Sequence, residues 1–119
     1  MPIFVLSVPP SANALFYNVR GRGRRKSNKY KAWIAGELKA LTAQRAKPVP
    51  GRVAITITLP NTMRGDATNR VKPTEDLLVR AGIIPDDSSK YVGAVTVTFG
   101  DVQMMRVSVE PLAEIGRAA

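Results

Sequence analysis

The chain has 119 residues, a net charge of +9, and neither cysteine nor histidine. That length buries one core and not two, so a single domain over residues 1–119 is expected. Without thiols or imidazoles, disulfide frameworks, structural zinc and Ser-His-Asp or Cys-His catalysis drop out, leaving carboxylates, lysine, arginine, hydroxyls or a cofactor to carry any chemistry.

Ile3 to Val8 is an apolar run rich in strand formers, stopped by Pro9-Pro10. It lacks the basic start and small-residue cleavage site of a secretory signal, and no apolar run in the chain approaches the roughly 18 residues that span a bilayer. No membrane association and a cytoplasmic location are expected.

Ser11 to Lys29 has no period. It crowds Arg20, Arg22, Arg24, Arg25, Lys26 and Lys29 around Gly21 and Gly23, with Phe16 and Tyr17 at its entrance, and reads as a flexible basic loop. Most charge runs are solvated surface, but the Gly-Arg alternation favours phosphate contact, because glycine admits close backbone approach and arginine forks onto phosphate. The excess of positive charge points the same way, towards nucleic acid, since each neutralised phosphate releases a counterion.

From Ser27 or Asn28, either of which can cap, Tyr30, Trp33, Ile34, Leu38 and Leu41 recur at helical spacing until about Ala46. Trp33 reads as core rather than as a stacking platform. A prolyl linker, Lys47-Pro48-Val49-Pro50-Gly51, follows, and Arg52 to Leu59 alternates as a half-buried strand. The next helix turns Val71, Leu77, Leu78 and Ala81 inward and stops at Gly82; Pro73 fits only its first turn, so the helix either starts around Thr68 to Lys72 with one loosened bond or begins later. Tyr91 to Phe99 and Val102 to Glu110 are expected to pair as a hairpin about Gly100-Asp101, with the tail from Pro111 to Ala119 fraying. The order β-α-β-α-β-β predicts an α+β fold: a mixed, largely antiparallel four-stranded sheet with two helices on one face, the other face wet or packed on a second subunit.

Three of the nine acidic residues, Asp66, Asp86 and Asp87, fall at the two ends of the second helix, and their convergence is expected. Carboxylates converging on a basic protein fit a hard divalent ion acting on a phosphodiester. Asp66 and Asp87 are the candidate ligands, and Lys72 the ammonium that meets the phosphoryl charge. The plainer alternative makes Asp66 a helix cap, Asp86 and Asp87 turn residues, and Lys72 a surface partner of Asp76.

At these residues the chain resembles the RusA family of Holliday junction resolvases, endodeoxyribonucleases often carried by prophages. The matching positions are Asp66, Asn69, Lys72, Asp76, Ala81-Gly82 and Asp86-Asp87, preceded by Pro9-Pro10-Ser11-Ala12-Asn13 with Phe16 and Tyr17. The resemblance implies a homodimer that resolves a four-way DNA junction by paired nicks, with magnesium, or manganese in its place, held at Asp66 and Asp87 and Lys72 assisting. Where many members carry a second metal aspartate, this chain has Thr68, a weaker neutral ligand able to orient a metal water, which implies either looser metal binding or the participation of Asp86. Asp76 and Asn69 then support the site from behind. The DNA-contacting set is Asn13, Arg20, Arg22, Arg24, Arg25, Lys26, Lys29, Arg64 and Arg70. The alternative is a basic junction-binding protein that has lost its chemistry with the acid at Thr68.

Overall fold

A computed structural model describes residues 2–11, 14–21, 23–63 and 65–112. The elements run β1 (Ile3–Leu6), β2 (Phe16–Val19), β3 (Gly23–Lys26), α1 (Asn28–Ala43), β4 (Val53–Pro60), a 3-10 turn (Thr68–Arg70) leading directly into α2 (Val71–Arg80), β5 (Val92–Gly100) and β6 (Met105–Pro111). The main sheet has the order β1-β6-β4-β5, parallel between β4 and β5 and antiparallel elsewhere. This is the expected α+β fold with its mixed, largely antiparallel sheet. Among the described residues no helix is long and apolar enough to cross a membrane.

The expected hairpin between the last two strands does not form. Strand β6 pairs instead with β4 and β1, and β5 lies on the far side of β4. The short link after β5 arches over the end of β4, where Asn61 N–H donates to Gly100 O at 2.9 Å. Burial explains the arrangement. Val53, Ile55, Ile57 and Leu59 of β4 are all at 0% exposure, as are Met105, Val107 and Val109 of β6. Setting these two strands side by side in the middle of the sheet hides the most apolar surface. Strand β5 is left at the edge with Val95 and Phe99 exposed.

The second correction concerns the basic loop, which is a two-stranded ribbon. Strands β2 and β3 pair antiparallel, with Phe16 opposite Lys26 and Asn18 opposite Arg24. Gly21 and Gly23 take φ of +76° and +72°, the left-handed backbone that a tight reversal between two strands requires. The ribbon is anchored at its base, where Arg24 lies 4.0 Å over the Phe16 ring and Phe16 meets Tyr30 edge-on at 5.7 Å.

Helix α1 is capped by Ser27, whose Oγ accepts from Tyr30 N–H at 3.1 Å and donates to Ala14 O at 2.6 Å. Its inward side chains Tyr30, Trp33, Ile34 and Leu41 are buried. Helix α1 also closes the free edge of β1. Gln44 accepts from Val5 N–H and donates back to Val5 O, both at 2.8 Å, Glu37 accepts from Ser7 N–H, and Trp33 Nε1 donates to Ser7 O at 3.0 Å. An edge satisfied by side chains offers no template for another strand. In α2, Pro73 falls in the first turn, where its missing N–H costs no helical bond. Buried Thr74 donates to Arg70 O at 2.7 Å, and Gly82, at φ +76°, ends the helix.

Candidate functional site

The site is built by α2 and by the segment that returns from it. After Gly82 reverses the chain, Ile83 and Ile84 plug into the core at 1% exposure, held by Ile83 N–H donating to Leu78 O and by Val49 N–H donating to Ile83 O. That anchor fixes the path of Pro85-Asp86-Asp87. The result is that Lys72 Nζ donates to Asp87 Oδ2 at 2.5 Å while lying 3.2 Å from Asp76 Oδ1, one helical turn further on. One ammonium thus gathers two carboxylates from separate parts of the chain.

Exposed ion pairs are worth about 0–1 kcal/mol, so this arrangement positions groups more than it stabilises the fold. The Asp87 hydrogen bond, then Asp76, holds the Lys72 ammonium above the ordinary lysine range. Reciprocally, the hydrogen bond from Lys72 lowers Asp87, with the adjacent Asp86 side chain contributing in the same direction. Glu75, half-buried on the same helix, is pushed up by burial first and then by the negative charge of Asp87 and Asp76. Sequence reasoning missed Glu75. Its place three residues after Lys72 was a usable signal, since such positions share a helix face.

Lys72, Asp76 and Asp87 are therefore brought together, with Asp86 beside Asp87. Asp66 is exposed in the loop before the 3-10 turn, and among the described residues its side chain makes no hydrogen bond or ion pair. Neither the 3-10 turn nor α2 has a side-chain cap, so the capping role that the plainer alternative gives Asp66 is not realised. Thr68, exposed, and Asn69, half-buried, lie in the 3-10 turn. Asn13, Arg22 and Arg64 lie outside the described residues, as does the tail beyond residue 112.

Among the described residues, no group of three or more acidic side chains is gathered closely enough to hold a metal ion. The donors present are nevertheless of the kind a hard divalent cation takes. All are carboxylate oxygens. Asp87, Asp86 and Asp66 are donors of that chemical type, and among the described residues they are not gathered into one metal-holding group.

The basic side chains of the ribbon and of the start of α1 are open to solvent. Arg20, Arg24, Arg25, Lys26 and Lys29 are exposed, and Tyr17 stands out from the ribbon at 52% exposure. Arg70 differs from them: it is half-buried, and its Nη1 donates to Pro9 O at 2.8 Å. No protein-family model matches the chain, and no curated protein matches it in sequence.

Proposed function

We propose that the protein is a magnesium-dependent endodeoxyribonuclease that nicks branched DNA, with the four-way junction as substrate, acting as a homodimer in the cytoplasm. The observation that carries this reading is the Lys72 ammonium held by Asp87 and Asp76 on a molecule that presents an exposed basic ribbon.

Cleaving a phosphodiester requires an activated water, neutralised phosphoryl oxygens and a stabilised leaving oxygen. A bound magnesium supplies a water of lowered pKa and part of that neutralisation. The raised pKa of Lys72 keeps it charged at neutral pH, so its part is electrostatic: it meets the phosphoryl or leaving oxygen as a cation and does not serve as a base. Asp87 and Asp76 set where that cation sits. The low pKa of Asp87 keeps it ionised and available to a metal, and Asp86 and Asp66 are the further oxygen donors. Two opposed nicks need two such sites, which a symmetric pair of chains provides.

One feature favours a second reading, a junction binder without chemistry: Thr68 stands where the resemblance expects a carboxylate, and Asp76 and Asp87 are already engaged by Lys72. A labelled four-way junction incubated with the protein and magnesium separates the two. Paired nicks that vanish with chelator are expected, whereas tight binding without cleavage would favour the binder.

A further inference from the structure

A cavity of about 460 Å³ opens between the N-terminal segment, α1 and the 3-10 turn, walled by Val8, Pro10, Ala14 and Trp33 and edged by Ser11, Lys29 and Arg70. Two cations and a hydroxyl face it, and no carboxylate is among its lining residues. Neither Lys29 nor Arg70 makes an ion pair among the described residues, where Lys72 supplies the pairs that are seen. Arg70 is fixed by its Nη1 bond to Pro9 O, and its Nε–H is buried with no acceptor. A buried donor without an acceptor is costly to keep, and a cation held rigid without a counter-charge is prepared for an anion. Trp33 meanwhile spends its one polar atom on Ser7 O, which leaves its ring as an apolar wall.

We propose that this cavity seats a backbone phosphate of a nucleic-acid strand, with Lys29 and Arg70 on the phosphate oxygens, the Ser11 hydroxyl donating to it, and the sugar or base lying against the apolar wall. The inference rests on the reading of the chain as a DNA-acting protein but not on the cleavage step, and it places a grip separate from Lys72 and its carboxylates.

Trp33 is the only tryptophan in the chain and lines this cavity, so its emission responds to occupancy there. With chelator present, a short single-stranded oligodeoxynucleotide should change Trp33 emission saturably, and a methylphosphonate oligomer of the same sequence should not. Lys29→Gln, a change at an exposed side chain, should weaken the midpoint about tenfold, as expected for removing one charge-assisted hydrogen bond. Arg70→Gln should do the same, and if that variant fails to fold, Lys29→Gln decides. Inorganic phosphate should compete for the response at high concentration. Emission that stays constant while fluorescence anisotropy of the labelled oligomer reports binding would overturn the seat and leave the DNA reading standing. A response to inorganic phosphate with none to the oligomer would assign the cavity to a free anion and overturn it too. Absence of any binding by anisotropy would remove the DNA reading and the seat with it.

Discussion

Lys72 and Asp87, separated by fifteen residues of sequence, share a 2.5 Å hydrogen bond, and Asp76 shares the same ammonium at 3.2 Å. The contact exists because Gly82 turns the chain and Ile83 and Ile84 anchor the return, so a core feature sets the geometry of a surface group.

The pair is exposed, so its removal should leave the fold nearly unchanged. Lys72→Met is expected to alter stability by no more than about 1 kcal/mol in chemical denaturation, while junction cleavage falls by roughly 100-fold or more. A cleavage rate within a few-fold of wild type would remove Lys72 from the chemistry.

Glu75 provides a test through pH. Its folded pKa lies above its unfolded value, so the ionised form costs stability at neutral pH, and that cost disappears as pH falls below the ordinary glutamate value of about 4.3. Glu75→Gln should therefore raise the melting temperature at pH 7 and leave no gain near pH 3.5. Asp87 has the opposite sign: its lowered pKa contributes stability above about pH 4 that is lost as pH falls through the folded value. Melting curves of wild type, Glu75→Gln and Asp87→Asn across that range would show the two trends diverging.

The sheet order makes a sharp contrast between neighbouring strands. Ile57, fully buried at the centre, should cost about 2–5 kcal/mol when changed to Ala. Phe99 is 48% exposed on the edge strand, and Phe99→Ser should cost far less. Equal losses in urea unfolding would mean that β5 is covered in solution.

What the sequence revealed and what it concealed divide along physical lines. Helix α1 and strands β4 and β6 carry apolar periods that follow from burial, so their inward residues were legible. The β2–β3 ribbon was not: its strands are only four residues each, β3 is exposed and basic throughout, and the ribbon rests on Phe16, with its contacts to Arg24 and Tyr30, and on two glycines, which leaves no period to read. Nor was the strand order, because Gly100-Asp101 reads as a tight hairpin turn, whereas Gly100 ends β5 and the link of residues 101–104 is long enough to carry the chain past β4. At the site, the Lys72–Asp76 pair followed from helical spacing. The approach of Asp87 depended on the Gly82 stop, and Glu75 shared a helix face with Lys72 by spacing, but its partial burial, the first cause of its raised pKa, was not legible.

The ribbon itself should govern affinity. Changing Arg24, Arg25 and Lys26 to Ala is expected to flatten the slope of log affinity against log salt by up to about 0.9 for each phosphate of duplex DNA that the ribbon no longer neutralises. An unchanged slope would take the ribbon out of the interface.

The most direct measurement is cleavage of an end-labelled four-way junction by wild type and Asp87→Asn in parallel, with and without magnesium. We expect magnesium-dependent paired nicks from the wild type, and from Asp87→Asn binding as tight as wild type or tighter with cleavage abolished. Wild-type protein that binds the junction and never cuts it, or Asp87→Asn that cuts it at the same rate, would contradict the account.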